Sequence, residues 1–171
     1  YGLEEPGAKL LGALPFCGVF GFDSALGALA AGAPVVLMET FEPAVALQLM
    51  EVERITVWNG VDSMAVPLLE HPDLTRRDRS SLRTGGFAAT GGGVEGLFDA
   101  VVKRLGVRKL FQPYGMTEVN AMTLVHDLDE PEESLAVPGI WPADGLEARV
   151  VDPDTGQDQP ADREGELWLR G

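Results

Sequence analysis

The chain is poor in cysteine and in positive charge. Its 171 residues include a single cysteine, Cys17, so no disulfide can form within the chain, and we expect a reducing, cytoplasmic location. The chain has 13 basic and 27 acidic residues, which gives a formal charge of −14. Because an acidic chain is repelled by phosphate backbones and by anionic lipids, we expect no nucleic acid and no membrane surface as a partner.

Long apolar runs are also missing. No run reaches the roughly 20 residues of a membrane span, and no basic segment followed by an apolar one opens the chain as in a secretory signal. The two histidines, His71 and His126, have no paired cysteine or second histidine nearby, which argues against a metal site built on either. The chain starts without methionine and stops where a strand stops, so we expect a segment of a longer protein.

Strand and helix patterns alternate from residue 10 to about residue 118. The predicted strands are 10–17, 34–38, 55–58, 82–88 and 107–112. The predicted helices are 24–31, 42–52, 62–69 and 94–105. The apolar residues 45, 47, 49, 50 and 52 are expected on the buried face of the second helix, and residues 97, 101 and 105 form an apolar stripe on the last. Such alternation with short connections predicts an α/β fold, a parallel sheet flanked by helices on both faces. Ligands of such sheets bind beyond the carboxyl ends of the strands.

After Glu118 the pattern changes. Strand patterns occupy 121–126, 146–152 and 166–170, an acidic loop occupies 127–134, and residues 153–160 read as a turn. No helix pattern is present here. We therefore predict two parts, an α/β subdomain over 1–120 and a β-rich, partly barrel-like subdomain segment over 121–171.

The most informative motif is Tyr114-Gly115-Met116-Thr117-Glu118, which follows a buried strand. An aromatic ring can stack on a planar base, and a glycine lets the backbone approach a ligand. A hydroxyl can bind a phosphate oxygen, and a carboxylate can hold Mg²⁺. At one edge of a sheet, these groups together favour a nucleotide site.

This motif resembles the nucleotide-binding motif of the adenylate-forming (AMP-binding) superfamily. Further segments match that family's patterns in the family's order. These are Leu14-Pro15 followed by Gly21, then 56–69, 80–85, 150–156 and 165–171. The resemblance covers nearly the whole chain and is sharpest toward the acyl-CoA synthetase, or fatty acid–CoA ligase, branch.

The resemblance implies an ATP-dependent ligase that converts a hydrophobic carboxylic acid to an acyl-adenylate and transfers it to CoA. The implied cofactors and substrates are ATP, Mg²⁺, CoA and the acid. The catalytic residues implied are Thr117 and Glu118, with Glu118 holding Mg²⁺. The nucleotide-binding residues implied are Ala89, Thr90, Gly91, Tyr114, Gly115, Met116 and Thr117. The candidates for the acyl pocket are Phe16, Gly18, Val19, Phe20 and Trp58.

Two departures from the family pattern bear on function. Gly18 stands where relatives usually carry a histidine that walls the acyl pocket, so a wider pocket is expected. The family's phosphate loop, ribose-binding aspartate and catalytic lysine are missing from these 171 residues. We therefore expect the segment by itself to be inactive.

Three alternatives remain. An amino-acid-activating adenylation domain would need an aspartate in the acyl pocket, and Asp23 is the one residue near that could supply it. A non-catalytic α/β module that binds a nucleotide or a protein is the second. The third is a dinucleotide site, because residues 91–96 fit a G-x-G-x-x-G pattern. That fingerprint belongs to the first strand–helix unit of a fold, whereas this match comes late in the chain.

Overall fold

A computed structural model describes residues 1–89 and 94–171. Strands of the first part are β1 (Leu10–Gly12), β2 (Val35–Leu37), β3 (Val57–Trp58), β4 (Gly60–Val61), β5 (Thr84–Ala88) and β6 (Lys109–Phe111). Its helices are α1 (Val19–Ala30), α2 (Pro43–Val52), α3 (Asp62–Glu70) and α4 (Leu97–Ala100), which continues as a π-helical turn over Val101–Leu105. A short 3₁₀ turn covers Pro72–Thr75.

The strands of this part form one parallel sheet. Its order is β2, β1, β3, β5, with β6 on the far side of β5. Strand β4 also pairs with β5, with Gly60 opposite Phe87, so β3 and β4 are two pieces of one strand line interrupted at Asn59. The predicted α/β fold with a parallel sheet is confirmed.

Helices cover both faces of the sheet. One face carries α2, α3 and α4, whose buried side chains surround Trp58, Phe87 and Leu110 in the larger core. On the other face, Ala28 of α1 packs with Leu10 and Val57 in a smaller cluster. The predicted apolar stripe of the last helix, 97, 101 and 105, is buried.

The predicted buried face of α2 is partly wrong. That face was expected to contain Val45, Leu47, Leu49, Met50 and Val52. The structure buries Ala46, Leu47 and Met50, whereas Val45 and Val52 are 40% and 63% exposed. Positions three and four apart share one side of a helix, and this register places alanine 46, rather than valine 45, beneath Met50.

The remaining strands form two antiparallel sheets. One is β7 (Tyr114–Met116), β8 (Asn120–Val125) and β9 (Trp141–Pro142). The other is β10 (Glu147–Val151) paired with β11 (Glu166–Arg170). The expectation of no helix here is wrong at α5 (Glu132–Leu135), one turn that begins after Pro131 with two glutamates in its first turn, where the helix dipole favours acidic residues. The boundary between 120 and 121 stays a prediction.

Both histidines have local structural partners. His126 is 3% exposed, and its Nδ1 lies 3.0 Å from Glu130 Oε2 while its Nε2 lies 2.9 Å from the Val137 carbonyl oxygen. The Nδ1 of His71 accepts a hydrogen bond of 3.2 Å from the Asp73 backbone N–H. Across residues 1–89 and 94–171, no helix is both long and apolar enough to cross a membrane.

Candidate nucleotide and acyl site

The motif found in the sequence forms a β-hairpin at the edge of the parallel sheet. Strand β6 ends at Phe111, and β7 then runs antiparallel to β8, with Tyr114 opposite Leu124 and Met116 opposite Asn120. Residues 117–119 form the turn, closed by a 3.2 Å hydrogen bond from Val119 N–H to the Met116 carbonyl. The hairpin therefore places the hydroxyl and the carboxylate of the motif at a tip.

Gly115 is required by the packing of the hairpin itself. A Cβ atom built at this position would lie 2.3 Å from the Asn120 carbonyl oxygen and 2.4 Å from the Ala121 carbonyl carbon. Real Cβ atoms do not approach that closely, so any other residue would force the two strands apart. The close backbone neighbour of this glycine is β8, and the same glycine also lines the cavity described below.

The tip residues Thr117 and Glu118 are exposed. Within the described part of the chain, neither side chain has a hydrogen-bond or ion-pair partner. A carboxylate with no neighbouring cation can bind a metal ion. Mg²⁺ is commonly held by one or two carboxylates together with substrate phosphates and water, so a single free carboxylate at this place fits the expected ion.

A cavity of about 460 Å³ joins the two predicted halves of the site. Its wall includes Gly18, Val19 and Phe20 from the start of α1, Ala88 from the end of β5, and Gly115 from the hairpin. We call it the motif cavity. The structure thus brings three of the predicted acyl-pocket residues against the predicted nucleotide motif.

The remaining predicted residues lie elsewhere. Phe16, 48% exposed, lines a neighbouring cavity of about 940 Å³ that shares residues 14, 15 and 61 with the motif cavity. Trp58 is fully buried in the larger core, with its ring centroid 6.4 Å from that of Phe87, and the structure does not bring it to the motif cavity. Ala89 is exposed directly after β5. Thr90 and Gly91 lie outside the described residues.

Gly18 is the N-cap residue of α1, with an extended backbone (φ −95°, ψ 140°) that any residue can adopt. A Cβ atom there would meet only the Pro15 carbonyl oxygen, at an ordinary 3.5 Å. The glycine is therefore not demanded by backbone strain or by crowding. Gly18 lines the motif cavity, and the wider acyl pocket expected from it stays a prediction.

A buried polar network behind the cavity was missed from the sequence. The Asn59 side-chain oxygen accepts a 2.7 Å hydrogen bond from Gly86 N–H, and its NH₂ group donates to Ser24 Oγ at 2.9 Å. Ser24 Oγ in turn donates to the Phe20 carbonyl at 2.6 Å. This chain of bonds ties the first turns of α1 to β5. The available signal was an amide residue inside an apolar strand run, between Trp58 and Gly60.

Comparison with known proteins identifies the family of the chain. The chain matches the AMP-binding enzyme family over residues 1–171, and it belongs to that family. It is 35% identical over 169 residues to 4-coumarate–CoA ligase CCL1 of Humulus lupulus, covering 95% of this chain and 30% of that ligase.

Solved structures give the same result. The chain superposes on amide bond synthetase McbA from Marinactinospora thermotolerans with a TM-score of 0.78 and 32% identity, over 98% of this chain and 33% of that one. It also superposes on O-succinylbenzoate coenzyme A synthetase (MenE) from Bacillus subtilis in complex with ATP and magnesium ion, with a TM-score of 0.78 and 25% identity, over 97% of this chain and 33% of that one. The chain therefore spans about a third of the length of these relatives.

Proposed function

We propose that this chain is the part of an ATP-dependent acid–thiol ligase that holds the adenine and the acyl group. The protein would activate a hydrophobic carboxylic acid as acyl-adenylate and transfer the acyl group to CoA. The observation that carries the proposal is the motif cavity, in which Gly18, Val19 and Phe20 share one space with Gly115 of the nucleotide motif. Family membership and the apolar character of these residues support it. The single cysteine supports a reducing, cytoplasmic setting as part of the same proposal.

The roles follow from position. The half-buried Tyr114 would stack on the adenine, with Ala89, Thr90 and Gly91 beside it. The exposed Thr117 hydroxyl would donate to a phosphate oxygen, and Glu118 would hold Mg²⁺. When bound, the ion supplies charge neutralisation of the phosphates.

The reaction has two steps. A carboxylate oxygen of the acid bonds to the α-phosphorus of ATP, and pyrophosphate leaves. The sulfur of the thiol then bonds to the acyl carbon, and AMP leaves. In the first step, this chain contributes mainly by holding the acid and the nucleotide in line, because phosphoryl transfer depends on positioning and charge stabilisation.

The molecule that accepts the acyl group distinguishes two candidate functions. A solved structure similar to this chain is an amide bond synthetase, so an amine acceptor is the competing function. For the amino-acid alternative, Asp23 lies outside the motif cavity: it accepts a 3.2 Å hydrogen bond from Ala121 N–H and lines a separate cavity of about 380 Å³.

The test uses the protein that carries this chain, with a panel of aliphatic and aromatic acids. ATP-dependent pyrophosphate release that rises with the apolar surface of the acid would support activation. Thioester formation with CoA, compared with amide formation from an added amine, then identifies the acceptor. Release with amino acids only would sink the hydrophobic-acid proposal.

A further inference from the structure

The nucleotide motif follows a short link between the parallel sheet and the hairpin. Strand β6 ends at Phe111, and Gln112 and Pro113 lead directly into Tyr114 at the start of β7. Because a link of two residues can span only a short distance, the position of Gln112 constrains that of Tyr114. Groups that hold Gln112 therefore also hold the start of the motif.

Gln112 is held by a segment that is distant along the sequence. Its backbone N–H donates a 3.0 Å hydrogen bond to the Leu135 carbonyl oxygen, and its side-chain NH₂ group donates to the Ala136 carbonyl oxygen. Gln112 also pairs in parallel with Pro138. Main chain and side chain thus anchor this one residue on the segment 135–138, beside the end of β6.

The segment 135–138 belongs to a loop that leaves β8 and returns to β9. The loop begins at His126, directly after β8, and passes through α5. Its return is packed tightly on β8, because a Cβ atom built on Gly139 would lie 2.2 Å from the Leu124 carbonyl oxygen. Leu124 is the residue paired with Tyr114. The loop therefore approaches the motif twice, at Gln112 before Tyr114 and at Leu124 beside it.

His126 closes this loop on itself. The residue is 3% exposed. Its Nδ1 lies 3.0 Å from Oε2 of Glu130 at the start of the loop, and its Nε2 lies 2.9 Å from the Val137 carbonyl oxygen on the return. We call these two contacts the histidine clasp. Since Val137 lies within the segment 135–138, one imidazole fixes the segment on which Gln112 is anchored.

The ring must donate from both nitrogens to form both bonds of the clasp. The bond from His126 lowers the pKa of the Glu130 carboxyl, which favours its ionised form. The other oxygen of that carboxylate accepts from Trp141 Nε1 at 2.6 Å and from the Asp127 N–H at 3.2 Å. An ionised carboxylate and a carbonyl oxygen are acceptors only. The closed clasp therefore contains an imidazole with a proton on each nitrogen, whose charge faces that of Glu130.

We propose that His126 is a positioning residue for the nucleotide site, which holds the segment 135–138 against Gln112 and thereby fixes Tyr114 for the adenine. This inference rests on the proposed function, since it takes Tyr114 as the adenine contact. His126 touches neither the nucleotide nor the acid and acts through hydrogen bonds. When the clasp is lost, the segment and Gln112 gain freedom, and ATP binding must then order them at a cost in affinity.

The test measures KM for ATP, KM for the acid and kcat in the protein that carries this chain. His126→Leu removes both bonds of the clasp, and Gln112→Met removes the side-chain bond to Ala136 with little change in volume. We expect KM for ATP to rise about fivefold or more, the usual scale of one lost hydrogen bond, and KM for the acid to change by less than about twofold. A merely structural role would lower kcat per mole of chain through loss of folded protein and leave both KM values unchanged. That result in both variants would overturn the proposal.

The second histidine supplies a matched control. The His71 ring accepts a 3.2 Å hydrogen bond from the Asp73 N–H at the start of the 3₁₀ turn, and asparagine can accept the same bond. His71→Asn thus removes an imidazole from a different part of the fold and should leave both KM values unchanged. A rise in KM for ATP equal to that of His126→Leu would overturn the proposal, because the effect would then not depend on the clasp.

A binding measurement separates this inference from the proposed function. Calorimetry with Mg-ATP, in the absence of acid, reports the nucleotide site whether or not any adenylate forms. If no acid is activated, the ligase proposal fails, whereas weaker ATP binding in His126→Leu and Gln112→Met still supports the clasp. Gln112→Met keeps both bonds of the clasp, so it tests the proposal even where His126→Leu does not fold. Equal ATP affinity in Gln112→Met and the unchanged protein would overturn it.

Discussion

The side-chain oxygen of Asn59 accepts a 2.7 Å hydrogen bond from the backbone N–H of Gly86. The two residues lie on adjacent strand lines, at the point where β3 and β4 are interrupted. Asn59 is 7% exposed and also donates to Ser24, so one amide joins the sheet to α1, the helix whose first residues line the motif cavity. The strand interruption at Asn59 is thus filled by a side chain that replaces the missing ladder bond.

Substitution of Asn59 by leucine should destabilise the fold. The change leaves the Gly86 N–H buried without an acceptor, and an unsatisfied buried polar group costs about 1–3 kcal/mol. Urea unfolding of the 171-residue chain measures the difference. Ser63→Ala, on the exposed side of α3, serves as the control and should change stability by less than about 0.5 kcal/mol. An Asn59→Leu chain as stable as the original would show that this bond contributes nothing.

Several features of the fold were accessible from the sequence because they depend on local patterns. The strand 166–170 and the start of α2 at Pro43 are set by alternation and by a proline in the first helical turn. The buried face of α2 was not accessible, since several apolar residues compete for it and tertiary packing decides. The same holds for the α5 turn, whose four residues are too few for a periodic signal.

The part of the candidate site that consists of contiguous sequence motifs was predictable. Residues Gly18 to Phe20 and Gly115 were named from linear motifs, and the fold brings them to one cavity. The hydrogen bonds that join Asn59 to Gly86 and to Ser24 depend on two strands and a helix meeting in space. No linear spacing encodes that meeting, so these residues emerged only from the structure.

Glu118→Gln tests the proposed magnesium role. In the protein that carries this chain, we expect adenylate formation to fall by on the order of 10² or more, because charge stabilisation by a bound ion is typically worth several kcal/mol. Pyrophosphate release at saturating acid, over a range of Mg²⁺ concentrations, is the measurement. Glu133→Gln, an exposed glutamate in α5, is a matched control. A near-normal rate for Glu118→Gln at every Mg²⁺ concentration would rule out the assignment.

The 171-residue chain by itself should bind Mg-ATP weakly. Its three lysines are all paired with acidic side chains: Lys9 with Glu53, Lys103 with Asp99 and Lys109 with Asp129. Since the proposed contacts are adenine stacking and one carboxylate, we expect a dissociation constant no tighter than roughly millimolar, a binding free energy near 4 kcal/mol. Calorimetry gives this constant, and micromolar binding or steady pyrophosphate release by this chain would contradict the expectation.

The acid sensitivity of the fold should depend on Glu130. The hydrogen bond from His126 lowers the pKa of this carboxyl below its ordinary value of 4.5, and bonds from Trp141 and from the Asp127 backbone act in the same direction. Because the folded pKa is lowered, the stabilisation is complete above about pH 4.5 and is lost as the pH falls through the folded value. Glu130→Gln should therefore flatten the pH dependence of stability below about pH 4.5. Urea unfolding of both proteins, at pH values from about 3 to about 7, measures this dependence. Identical pH profiles for the two proteins would contradict the role.

Gly18→His tests the acyl side of the site. The backbone accepts the change, since φ is −95° and a Cβ atom would make one ordinary contact of 3.5 Å. The imidazole would then occupy space in the motif cavity, which Gly18 lines and whose volume is about 460 Å³. We expect the range of acids to narrow, with long or ringed acids losing more kcat/KM than short ones. The profile of pyrophosphate release across acid sizes is the measurement, and Gln157→His, in the exposed turn between β10 and β11, is the control. A profile that merely scales down by the same factor for every acid would count against Gly18 as part of the acyl site, because a blocked cavity must discriminate by size.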